Sequence, residues 1–305
     1  MARAGTNVIV LLMMALAIWL FSSAVAAGQG KWFDRIYIIV FDKLKFNEAY
    51  GDPTFRNWAI RGRLLTNYTS VGYGAQSNYI SMIAGRTHDI YNETSLNLAG
   101  FTLIDRLQPR FDAPVISWKA YLEDYEGVCN TADKIGKVRC DRTGISYVRA
   151  HNPFISFDSI RSRSERCKKI VPGTHLAEDA SRNDVPEFNF YVPNNCHNGE
   201  GKKGSAGKHL EALMTTITDR AVSSDRTLVV VTFASLQGGK PGKVFTALIP
   251  LGEMRRSIPE GSLSETPFNH YSLLRTVEDN WDLETLKGKD VTAKNFFDDE
   301  NSASM

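Results

Sequence analysis

Little in this chain is extreme, and each scarcity removes a class of function. Its 36 basic and 34 acidic residues leave a net charge of only +2, too little to hold nucleic acid or an anionic membrane surface. The basic stretch from Arg161 to Lys169 is local and reads as solvated surface. The one long apolar run, Val8 to Phe21, falls short of the roughly 20 residues that span a bilayer. No internal repeat, heptad or long low-complexity segment occurs, which excludes solenoids and coiled coils. Cysteine is scarce, with four residues and no CxxC pair, so a cysteine-based zinc site is not expected.

What is present begins with the N-terminus. Arg3, the apolar run and the small residues SSAVAA form the three regions of a secretory signal peptide, with cleavage expected near Ala26 or Ala27. Residues 1–27 are therefore set aside, with an uncleaved signal anchor as the alternative, and 28–305 are expected to form a single domain. Secretion gives Cys129, Cys140, Cys167 and Cys196 an oxidising compartment and an even count suited to disulfides. Three connectivities are possible. The local pairing is Cys129 with Cys140, leaving Cys167 with Cys196. Asn67 (NYT) and Asn92 (NET) are glycosylation sequons.

Continuous apolar runs rich in β-branched residues mark strands covered on both faces. RIYIIVF from Arg35 and LVVVTF from Leu228 are two, with APVISW from Ala113 and FNFYV from Phe188 as further candidates. Helical patterns lie between them: Asn78 to Ala84, Thr102 to Leu107, His209 to Ala221 and Tyr271 to Asn280. Strands alternating with helices predict an α/β three-layer sandwich around a mostly parallel sheet. In such a fold the residues just past each strand's carboxyl end carry the ligand site. The tail after Lys287 reads as weakly structured.

Seven segments recur in one family's order: IIVFDK with YGDP, NYISMIAG, SWKAYLEDY from Ser117, HNPF from His151, PEFNFYVPN from Pro186, LVVVTF, and HYSLLRTVEDNWDL from His270. On these the chain resembles the secreted phosphoesterases that include acid phosphatases and phospholipase C enzymes, within the alkaline-phosphatase superfamily, and is most similar to the acid-phosphatase branch. The resemblance implies the alkaline-phosphatase-like fold, a divalent metal, and hydrolysis of phosphate esters.

Phosphoryl transfer of that kind needs a hydroxyl nucleophile and metal-binding carboxylates. The resemblance puts Lys43 and Leu44 where the family has the Glu-Asn pair ending its first strand. It puts Ala75 at the nucleophilic serine, Asn198, Glu200 and Gly201 at the Asp and His-Asp after the third site's Pro-Asn, and Ala234 and Ser235 at an Asp-Glu pair. Asp42 is one residue early, and strand alternation is expected to turn it away. Ser77 lies two residues past the nucleophile position and reads as the N-cap of a helix from Asn78. Of the groups that lie beside phosphate in the family, Asn78 and His151 remain. His197 and His209 with Glu200 show no tetrahedral spacing, so no metal is expected there.

The expectation is a secreted, acid-phosphatase-like protein that has lost its metal ligands and nucleophile, has no cofactor, and acts by binding or as a structural unit. Its partner would be a protein or surface ligand, with a phosphate-bearing or otherwise anionic molecule as one form of it; Lys43 offers an ammonium where a cation is lost. The alternative is an active metal-dependent phosphomonoesterase or phosphodiesterase using Ser77 and Asp42.

Overall fold

The computed structural model describes residues 28–108, 115–136, 144–201, 204–219, 226–236, 238–298 and 302–304. Cys140 and the signal-peptide segment lie outside them.

The strands of the main sheet are β1 (Arg35–Lys43), β2 (Arg63–Leu65), β3 (Trp118–Leu122), β4 (Ile170–Pro172), β5 (Phe188–Val192), β6 (Arg226–Ser235), β7 (Thr246–Gly252), β8 (Ser262–Ser264) and β9 (Ser302–Ser304). Their order across the sheet is β9-β8-β2-β7-β6-β1-β5-β3-β4. The five strands from β6 to β4 run parallel, and β7 turns the other way against β6. Isoleucine and valine fill β1 and β6 because both of their faces are covered; Ile36, Ile39, Val40, Val229 and Val230 are fully buried. Their register pairs Ile38 with Val230 and, at the carboxyl ends, Lys43 with Ser235.

The helices named here are α1 (Phe46–Gly51), α2 (Pro53–Ala59), α3 (Gly74–Ala84), α4 (His175–Arg182), α5 (Ser205–Thr218) and α6 (His270–Asn280). One group joins α3 to α6, another joins α2 and α4 to α5, and with the sheet between helices this is the expected sandwich. Phe55 of α2 meets Phe41 edge-on at 5.1 Å and Phe245 at 5.5 Å, which locks α2 onto β1. Helix α3 closes at Gly85, in the left-handed region at φ 66°. A β-carbon there would sit 2.3 Å from the Asp290 carboxylate, so the position requires glycine.

Several expectations are corrected. The third strand starts at Trp118, the last residue of the expected segment, whose first two residues lie outside those described. Helix α3 starts at Gly74, four residues before Asn78, and its N-cap is Tyr73 rather than Ser77. The tail after Lys287 is packed: Phe296 is fully buried, Phe297 stacks on Trp32 at 4.5 Å, and Asp290 accepts from the Leu286 and Gly288 amides. Cys129 bonds to Cys167 rather than to a near neighbour. Cys196 is also disulfide-bonded. No helix of the described residues is long and apolar enough to cross a membrane.

The Cys129–Cys167 bond closes a loop across a sequence separation of 38, for which loop entropy gives about 3–4 kcal/mol. Replacing both cysteines by alanine is expected to lower the unfolding free energy by about that amount in a denaturant titration; an unchanged midpoint would contradict this.

Candidate functional site

The carboxyl ends of β1 and β6, the first turn of α3 and the loop after β5 converge on one polar cluster. Its centre is Lys43. The ammonium Nζ lies 2.8 Å from Glu200 Oε1, 3.6 Å from Asp42 Oδ2 and 3.6 Å from Glu93 Oε1. His151 stands behind it, with Nε2 3.7 Å from both Asp42 Oδ2 and Glu93 Oε2. At that separation these are ion pairs rather than close hydrogen bonds. The His151 ring rests on Tyr79 at 5.5 Å.

Asp42 does not turn away, contrary to the alternation argument. It is fully buried, and neither carboxylate oxygen has a hydrogen-bond partner among the described residues. Burial pushes its carboxyl up to about 7, against the opposing pull of His151 and Lys43. Burial also pulls on Lys43 and His151, but the surrounding carboxylates outweigh it and hold both cations above their ordinary values. Glu93, beside His151 and bonded by the Ala75 backbone amide, is held down at about 2.

The remaining positions are structural in their contacts. Ala75 is buried in the first turn of α3 with only a methyl group. Ser77 is fully buried, and its hydroxyl donates to the Tyr73 carbonyl at 2.6 Å. Asn78 staples the preceding turn: Oδ1 accepts from the Val71 and Gly72 amides, and Nδ2 donates to the Gly72 and Gly74 carbonyls. Asn198 Oδ1 accepts from the Glu200 amide at 2.9 Å, and the Asn198 carbonyl accepts from the Asp42 amide at 2.8 Å. Leu44 is half-buried and packs against the core. The Ala234 carbonyl accepts from His270 Nε2 at 2.8 Å, and burial pushes that imidazole down to about 4. Ser235 is buried with its hydroxyl unpartnered among the described residues.

A divalent metal does not fit the position of the family's Glu-Asn pair. Lys43 places its own cation among the carboxylates, Leu44 offers no donor, and Ala234 supplies no side-chain ligand. Two participants escaped the sequence analysis. Glu93 was visible only as the middle residue of a sequon, and Glu123 only as one residue of the SWKAYLEDY segment, with no role given to it. Glu123 gathers His197 and His209, whereas Glu200 is spent on Lys43. Both sequons, Asn67 and Asn92, are exposed.

The Phosphoesterase family model matches residues 53–284. A probable acid phosphatase of Kluyveromyces lactis is 26% identical over 279 residues, covering 89% of this chain and 64% of that protein. The phosphate-repressible acid phosphatase of Penicillium chrysogenum is 28% identical over 270 residues, covering 87% and 63%. The chain thus spans less than two thirds of the length of these relatives. Among solved structures, that of Ps i-CgsB in complex with k-i-k-neocarrahexaose aligns at a TM-score of 0.51 and 12% identity, over 86% of this chain and 77% of that one. That likeness shows the fold alone.

The charge arrangement predicts a pH dependence. Asp42 ionises near 3.8 when unfolded and near 7 when folded, so the fold binds more protons in that window and stability falls as pH rises through it. His151, held up as well, acts in the same direction at the upper end. Glu93 acts oppositely, but only from about 2 to 4.5. Asp42→Asn is expected to flatten the decline between pH 4 and 7 and to exceed the wild type at pH 8 by on the order of 1–3 kcal/mol in urea unfolding. A variant with the wild-type slope would contradict the assignment.

Proposed function

The chain belongs to the phosphoesterase family, and from that premise we propose that it is a secreted, acid-phosphatase-like member that binds without hydrolysing. The observation that carries this reading is the Lys43 ammonium held by Glu200, Asp42 and Glu93. A hydrolytic site of this family needs a metal to neutralise phosphate charge and to activate a hydroxyl. Here the ammonium of Lys43 stands among carboxylates, and the helix turn nearby offers Ala75. Removing groups that act as a unit leaves little residual rate, and a shared scaffold does not carry activity by itself.

A second reading, an active phosphatase with displaced residues, draws support from the names of the relatives, which are acid phosphatases. Ser77 would be its nucleophile and Asp42 its base. Against it stands the burial of Ser77 and the commitment of its hydroxyl to the Tyr73 carbonyl. Hydrolysis of nitrophenyl phosphate from pH 4 to 9, with magnesium, manganese, calcium and zinc each added, separates the two. The expected result is no turnover above background. Turnover abolished by Ser77→Ala or Asp42→Asn would establish the second reading.

The binding partner is proposed to be a protein or surface ligand, with an anionic group as one form of it. An anion approaching Lys43 has to compete with the Glu93 and Glu200 carboxylates that already face the ammonium, and Glu93 faces His151 as well. Glu93→Ala is therefore expected to strengthen binding of inorganic phosphate roughly tenfold, the equivalent of about 1.4 kcal/mol. Calorimetric titration of wild type and variant reads this, and equal affinities would remove Lys43 from the binding role.

A further inference from the structure

A second titratable cluster lies along the same edge of the sheet and shares no residue with the first. Glu123 follows the last residue of β3, His197 sits in the loop after β5, and His209 lies in the first half of α5. His197 Nδ1 is 2.8 Å and 3.0 Å from the two Glu123 oxygens, and His209 Nε2 is 3.5 Å from Glu123 Oε2. One ligand atom from each residue falls within 4.8 Å of the other two. The imidazole rings lie parallel, 4.5 Å apart at 8°.

We propose that Glu123, His197 and His209 bind one divalent transition-metal cation, with zinc the best match. The donor set is two imidazoles and one carboxylate, a combination that holds zinc with three protein ligands and leaves a fourth position for water. Ligands about 2.0–2.2 Å from a tetrahedral zinc are roughly 3.3–3.5 Å apart. The present separations bracket that value, so a cation enters with small side-chain movements.

The supporting shell is built. The Asn194 amide donates to Glu123 Oε2 at 2.9 Å, and the Glu123 amide donates to the Val192 carbonyl at 3.0 Å, which fixes the carboxylate on the sheet edge. The Tyr191 hydroxyl lies 3.1 Å from His209 Nε2 and must swing from the imidazole lone pair to the metal's water. Asp124 faces His197 as a second negative charge. Side-chain exposures of 34% for His197, 17% for Glu123 and 15% for His209 leave an entry path.

A histidine–carboxylate ion pair needs only one imidazole. The second ring, stacked on the first and turned to the same carboxylate, is a poor arrangement for two cations and a good one for two neutral ligands. The spacing of His197 and His209 gave no sign of a site because one lies in the loop and the other in α5, and the third ligand comes from the end of another strand. This inference is independent of the reading proposed above, since none of Asp42, Lys43 or Glu93 takes part.

The test uses the full chain, freed of metal by chelation and titrated with zinc in competition with a chromogenic chelator. The expected result is one equivalent bound at submicromolar Kd, weakened about 100-fold or more by His197→Ala and by His209→Gln. Cobalt in place of zinc is expected to give the intense visible bands of tetrahedral coordination, lost in both variants. His197→Ala removes a half-exposed loop side chain, so it keeps the test open if His209→Gln fails to fold. Absence of stoichiometric zinc in the wild type, or equal affinity in wild type and His197→Ala, overturns the proposal.

Discussion

Burying Asp42 at the carboxyl end of the central strand is the constraint from which the surrounding edge follows. An ionised carboxylate without hydrogen bonds in a dry interior is costly, so it is either neutralised by protonation or met by cations. Both responses are present. The carboxyl is pushed up to about 7, and Lys43 and His151 approach it from two sides. Those two cations in turn require counter-charges of their own, which Glu93 and Glu200 supply from the rim. The network runs outward from one buried oxygen pair to partly exposed carboxylates, and each member is explained by the one before it.

The parts of the fold legible in sequence were those whose physics is local and repetitive. Strands β1, β5 and β6 are buried on both faces and cannot avoid continuous apolar runs, so RIYIIVF, FNFYV and LVVVTF announced them. Short strands such as Arg63–Leu65 and Ser262–Ser264 carry no period and only form because neighbouring strands present an edge. The start of α3 was misplaced because the helix opens on Gly74, a poor helix former that here lies in the left-handed region at φ 68°. What admits it is the Asn78 side chain, which closes the turn at the helix start with four hydrogen bonds. Disulfide pairing favoured neighbours in sequence, whereas the chain brings Cys167 back to Cys129 over 38 positions.

The site divides in the same way. Lys43, Ala75, Asn198, Glu200, Ala234 and Ser235 could be singled out in sequence because each sits beside a recognisable strand or turn. Glu93 and Glu123 were missed because their partners lie 50 or more positions away in the chain, and only the fold makes them neighbours of Lys43 and His197. A sequon gave Glu93 a different explanation, and an ordinary strand end concealed Glu123.

The two clusters occupy one edge for a shared reason. Parallel strands end together there, and loops leaving them carry polar side chains to the same place. A metal-dependent hydrolase uses that convergence to gather ligands around a cation of charge two. In this chain the lysine supplies a charge of one from within the protein, permanently attached and already surrounded by carboxylates. Such a charge cannot ligate a nucleophile or exchange its shell for a substrate's oxygens. On the reading proposed above, a serine placed at Ala75 would add a hydroxyl to the helix turn with no divalent cation beside it to lower its pKa, because Lys43 already fills that place with its own charge.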